Sequence, residues 1–310
     1  MGSVKVGIVG AGFVGAAAAN ALVLRGIPTE IVLVDVDEAR ASSEAADIAH
    51  VTTFAAPVRV TSGSTVDLSG SSVVVMTAGS AQTPGQSRLD LVSRNAQIAD
   101  SVVPEVFRHA PDALLLIATN PVDVMTSIAE RHARVAGVPA GRVFGTGTML
   151  DTARFRQIVA AMIGVDVTHV HAYVVGEHGD SEVLVWSSLD VAGRPLSEFA
   201  SAMGGSFSVE DRSRVEDEVV HAAERIIQGK GATYYGVAAV IARAVEVILR
   251  DRRSILTVSA TDAAYGCALS LPRLVSGSGI VRDLGVSMDA EERTRLERSA
   301  AVLREHIGSL

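Results

Sequence analysis

Four short runs of Val, Ile and Leu mark the first 120 residues: "VKVGIVG" at 4 to 10, "TEIVLVD" at 29 to 35, "SVVVMTA" at 72 to 78 and "ALLLIATN" at 113 to 120. None alternates apolar with polar residues, and a strand that is apolar on both faces must be covered on both faces. Helix-like stretches lie between the runs, at Phe13 to Arg25, Glu38 to His50 and Arg88 to Arg108. That succession is satisfied by a doubly wound parallel sheet with helices on either side. After about residue 145 the pattern changes: longer helical stretches mix with short runs such as "HVHAYVV" and "SILTVSA", and "SLPRLVSGSGI" reads as a late loop or hairpin. The expectation is an α/β domain over residues 1–145, a mixed α/β domain over 146–310, and a ligand cleft between the packed halves.

The totals narrow the function classes. A net charge of -8 with no concentrated basic patch argues against a nucleic-acid surface, which has to neutralise phosphates. The one cysteine, Cys267, rules out an internal disulfide, and the opening "VKVGIVG" is strand-like rather than a charged segment before an apolar signal core. A cytoplasmic location is expected. "MGSVKV" begins like an N-myristoylation site, but Val6 stands where that motif needs Ser or Thr. No apolar run is long enough to span a membrane.

Directly after the first run, "GAGFVG" spaces Gly10, Gly12 and Gly15 as G-x-G-x-x-G at the start of a helix. In that context Gly10 permits a tight turn, Gly12 lets backbone approach a pyrophosphate, and Gly15 lets helix pack closely on strand. Asp35 closes the second run 20 residues after Gly15, where a carboxylate can accept hydrogen bonds from an adenosine ribose and repel a 2'-phosphate. The cofactor expected of this Rossmann-type unit is therefore NAD; the competing reading of Asp35 is a strand-end turn residue.

"VVGEHGDSE", residues 174 to 182, sets His178 between glycines and among acidic side chains. Such a histidine can be a general acid, a metal ligand or a loop residue. Beside a nicotinamide the first fits best, because hydride transfer to a carbonyl needs a proton for the oxygen, and imidazole titrates near the working pH. "GTGTMLDTARFRQ" offers Asp151 as the carboxylate that fixes the histidine. Arg154, three residues on, shares its helical face and can clamp a substrate carboxylate, although such a pair is more often a surface salt bridge. His169 and His171 form an H-x-H pair without further ligands, so no metal is expected.

The chain resembles the lactate/malate dehydrogenase family, and within it the bacterial L-lactate branch. The resemblance is carried by "VKVGIVGAGFVG", "TAGSAQTPGQSRLDLVSRNAQI", "ATNPVDV", "GTGTMLDTARFR", "HAYVVGEHGDSEVLVWSS", "GKGATYYGVA" and "ALSLPRLV", in the family's order and spacing. It implies His178 as acid/base, Asp151 as its orienting carboxylate, Arg154 as the substrate clamp and Arg88 as a loop arginine that polarises the reacting carbonyl. Asn120 is implied near nicotinamide and substrate, and Thr233 beside the substrate's tail. The substrate pair implied is pyruvate and L-lactate. Gln82 meets the far end of the substrate, where malate dehydrogenases resemble this loop but carry arginine for a second carboxylate. Gln86 departs from the acidic residue usual in lactate dehydrogenases, which weakens the rejection of dicarboxylic acids. Arg156 and His171 match the phosphate-binding pair of relatives that respond to fructose 1,6-bisphosphate, a site between subunits, and the resemblance implies a homotetramer. Exposed arginine and strand histidine is the alternative for that pair.

Overall fold

The apolar runs become parallel neighbours. Strand β1 (Lys5–Val9) leads through α1 (Phe13–Leu24) to β2 (Glu30–Val34), and α2 (Glu38–Val51) leads to β3 (Arg59–Gly63). Then come β4 (Ser71–Met76), α3 (Arg88–His109), β5 (Leu114–Ile117), α4 (Val122–Val135) and β6 (Val143–Gly145). The structure, a computed structural model, describes residues 4–80 and 88–308. The six strands lie in the order β3-β2-β1-β4-β5-β6, all parallel. Chain direction across the sheet reverses between β1 and β4, so a crevice opens at their carboxyl ends, where doubly wound sheets bind ligands.

The second half contains α5 (Met149–Ile163), β7 (Val170–His171), β8 (Val174–Val175), β9 (Val183–Leu184), β10 (Asp190–Val191) and β11 (Arg194–Pro195). Helices α6 (Leu196–Ala202), α7 (Val209–Val220), α8 (Ala222–Lys230) and α9 (Tyr235–Leu249) follow, then β12 (Ser254–Asp262), β13 (Cys267–Ser276), β14 (Gly279–Asp283) and α10 (Ala290–Gly308). The three last strands do not build a sheet of their own. They run antiparallel and extend the first sheet through a pairing of Ser259 with Gly145, making nine strands in all. "SILTVSA" thus lies inside β12, and "SLPRLVSGSGI" is the β13–β14 hairpin.

Burial explains the lack of alternation. Val6, Ile8, Val73 and Val75 face one core, shared with Leu22 and Val23 of α1 and Ile241, Val245 and Ile248 of α9. Val9, Val74 and Met76 face the other, against α3 and α4. Helix α9 therefore carries the second half back across the first, and no linker separates them. Among the described residues no helix is long and apolar enough to cross a membrane.

Candidate active site

The turn after β1 is shaped for a close approach of backbone to ligand. Gly10 has φ of 107°, and a Cβ there would lie 2.5 Å from the Ala78 amide nitrogen. At Gly15 a Cβ would lie 1.9 Å from the Gly10 carbonyl oxygen, so neither position admits a side chain. The Thr77 hydroxyl donates to the same carbonyl at 2.8 Å and ties the turn to the end of β4. A Cβ at Gly12, by contrast, would meet nothing within 4 Å. Gly12 caps α1 with no side-chain hydrogen bond, and the first turn carries no acidic residue, so the positive end of the helix is open to an anion. A cavity of about 910 Å³ runs from Gly10 and Gly12 past Asp35 to Thr77 and Ser80. Asp35 holds the rim: its oxygens accept from the amides of Ala11 at 2.6 Å and Asp37 at 3.0 Å. The turn role is thus visible, and it leaves the carboxylate facing the cavity. An open helix end, two positions closed to side chains and an acid at the rim fit a dinucleotide.

His178 is carried by the segment after β8, which a backbone bridge between Gly176 and Ser270 pins to β13. Its Nδ1 lies 2.6 Å from Asp151 Oδ2, and Arg154 donates to Asp151 Oδ1 at 2.6 Å. Asp151 sits in the first turn of α5 and is 2% exposed, so this is a buried junction rather than a surface salt bridge. The Asp151 charge holds the imidazole's pKa up to about 9 against the opposing effect of burial. Burial alone would raise Asp151, but the His178 and Arg154 cations outweigh it and hold the carboxyl below its usual value. The histidine is thus set to carry a proton at neutral pH.

Two residues that sequence reasoning did not single out complete the frame. Asp123, in the first turn of α4, accepts from the His178 amide at 2.8 Å and from the Ser259 hydroxyl at 2.5 Å. Burial pushes its carboxyl up to about 6. Asn95, inside α3, accepts from the Ser80 amide at 2.8 Å and donates to the Asn120 carbonyl at 2.7 Å, joining the loops after β4 and β5. Both lie inside the quoted stretches "ATNPVDV" and "LVSRNAQI", but only their distant partners mark them out.

The other expected positions fall as follows. Asn120 is exposed at the end of β5. Thr233 is half-buried just before α9, whose Gly236 packs on Leu150, next to Asp151. Arg88 opens α3 and is described in backbone alone, while Gln82 and Gln86 lie outside the described residues. Arg156 donates through Nε to the Ala172 carbonyl at 2.9 Å, with its guanidinium 5.4 Å from the Tyr173 ring centre. His171, exposed on β7, is the residue before that carbonyl. Arg156 thus binds the backbone one residue beyond His171, whereas His178 and Arg154 meet elsewhere, on the buried Asp151.

The pattern of the lactate/malate dehydrogenase NAD binding domain matches residues 4–145, and that of the family's alpha/beta C-terminal domain matches residues 148–309. The chain is 51% identical over 306 residues to an L-lactate dehydrogenase of Chloroherpeton thalassium, covering 99% of each chain. To one of Thermus aquaticus it is 52% identical over 304 residues, covering 97% of each. A crystal structure of the minor L-lactate dehydrogenase from Enterococcus mundtii, in its ligands-bound form, superposes with a TM-score of 0.94 at 37% identity, covering 99% of this chain and 98% of that one. Matched through both halves in order and sharing one fold from end to end with these proteins, the chain belongs to the lactate/malate dehydrogenase family.

Proposed function

We propose that the protein is an NAD-dependent L-lactate dehydrogenase that interconverts pyruvate and L-lactate. The observation that carries this reading is the meeting of His178 and Arg154 on the buried Asp151, with both contacts at 2.6 Å. Gly10, Gly12, Gly15 and Asp35 would hold NADH, with Asn120 near the nicotinamide, and the bound cofactor would supply the hydride. Asp151 occupies Nδ1 of His178, so the proton for the substrate's carbonyl oxygen leaves from Nε2. Arg154 spends one nitrogen on Asp151 and turns the rest of its fork to the substrate carboxylate. Arg88 stabilises the charge growing on the carbonyl oxygen. Gln82 and Thr233 enclose the methyl end. The nucleotide half is taken as 1–145 and the half bearing the proton donor as 146–310, the division falling where β6 ends. Steady-state rates with pyruvate and with oxaloacetate test the assignment: a preference for oxaloacetate would make the protein a malate dehydrogenase, a reading that Gln82 opposes and Gln86 weakly favours.

The pH dependence has a defined sign. A histidine whose pKa is raised to about 9 keeps its proton through neutrality, so kcat/KM for pyruvate reduction should hold until pH approaches that value and fall beyond it. Lactate oxidation needs the neutral imidazole and should rise over the same interval. Rate profiles in both directions check this; a reduction limb that falls near the ordinary histidine value of about 6.5 contradicts it.

The same reading extends to a homotetramer in which fructose 1,6-bisphosphate bridges Arg156 and His171 across subunits. Its support is that Arg156 binds the backbone one residue beyond His171, and that burial disfavours the Arg156 charge in a way an anion would offset. The effector is expected to lower the pyruvate KM by about 5-fold or more, with a larger effect at mildly acidic pH. Identical saturation curves with and without it, or activation that survives neutralising both residues, would remove the site.

A further inference from the structure

Glu182, four residues beyond His178 in the same segment, is 4% exposed, and its Oε1 has no hydrogen-bond partner among the described residues. Ligand-type atoms of Glu182, Asp151 and His178 lie within 4.8 Å of one another. Such a group invites a metal, but Asp151 already has His178 on one oxygen and the Arg154 guanidinium on the other, each at 2.6 Å, so an added cation would face two others. Two carboxyls sharing so small a volume divide their charge unequally. Asp151 has both cations in direct contact and stays ionised; Glu182 has neither. Burial, Asp151 and Glu177 push the Glu182 carboxyl well above the usual range, while His178 and Arg154 pull only partly against them.

Counting charge shows what this achieves. Within the hydrogen-bonded trio, protonated His178 and Arg154 against Asp151 leave a single positive charge, which the substrate carboxylate neutralises. Ionised Glu182 would remove that excess before the substrate arrived, and the substrate would enter as an uncompensated buried anion. We propose that Glu182 is a positioning residue that stands as the neutral acid against the Asp151–His178 pair, so that the site keeps one cation in excess for the carboxylate of an incoming 2-oxo acid. This rests on the 2-oxo acid reading above and deepens it. The charged groups facing the pair are Asp151 and Arg154 from α5, Glu177 from the histidine's own segment, and Asp123 from α4, which holds the His178 amide.

The test compares wild type with Glu182→Gln. Their infrared difference spectrum above neutral pH, where Asp123 with a value of about 6 is ionised, should show loss of a protonated-carboxyl stretch. Loss of a carboxylate stretch instead overturns the proposal. This arm needs no substrate, so it stays readable if the 2-oxo acid reading fails. With pyruvate, KM should climb at the alkaline end in wild type as Glu182 ionises, and climb less in the variant, which has no carboxyl to ionise. A KM that climbs equally in both proteins, or a difference confined to kcat, overturns it as well. Should the amide variant fold poorly by circular dichroism, alkaline titration of the wild-type band decides: it should fade together with pyruvate affinity, and a band already absent at neutral pH refutes the assignment.

Discussion

Replacing His178 by Asn is expected to lower kcat for pyruvate reduction by ~10²–10⁴-fold while leaving the affinity for NADH nearly unchanged. Asparagine carries no titratable proton, so the carbonyl oxygen would have to take one from water. The change also removes the cation that shares Asp151 with Arg154. The nucleotide crevice is built from the turn after β1, the start of α1 and the end of β4, none of which touches the imidazole through a hydrogen bond. Steady-state rates and a fluorescence titration with NADH separate the two effects. Turnover within tenfold of the wild type would end the role given to His178.

Changing Gln82 to Arg is expected to move the preference toward oxaloacetate by ~2 to 5 kcal/mol, or about 30- to 5,000-fold in the ratio of kcat/KM values. Oxaloacetate brings a second carboxylate into a desolvated site, and a neutral amide leaves it without a counter-ion. On the proposed reading Arg154 cannot serve, since its fork is shared between Asp151 and the first carboxylate. Measuring both substrates on both proteins gives the ratio directly. A variant that keeps the parent's ratio shows that residue 82 does not read the substrate's tail.

What could be read before the fold was seen divides along physical lines. The strands β1, β2, β4 and β5 were legible because burial on both faces requires uninterrupted Val, Ile and Leu. Strand β3 was not, since "RVTSG" lies at the sheet's edge and keeps polar residues toward solvent. The junction of β12 with β6 was hidden for a different reason: a pairing between Ser259 and Gly145, 114 positions apart, leaves no trace in local composition. The same distinction runs through the site. His178, Asp151 and Arg154 stand in motifs with a recognisable chemistry, whereas Asp123 reads locally as an ordinary acidic residue in the first turn of a helix. Only contact with His178 and Ser259 gives it a task. Glu182 was visible merely as one of the acids around the histidine, because its state depends on burial and on Asp151.

The shared sheet also limits how the enzyme can move. In proteins whose two lobes are joined by a hinge, the distance between cofactor and acid/base is set afresh at each closure. Here β1, which leads into the turn at Gly10, and the strand that carries Ser259, the anchor of Asp123 beneath His178, belong to one hydrogen-bonded surface. The spacing between the nucleotide crevice and His178 is thereby a property of the scaffold. A mutation that stiffens the two halves against each other should therefore leave that spacing unchanged.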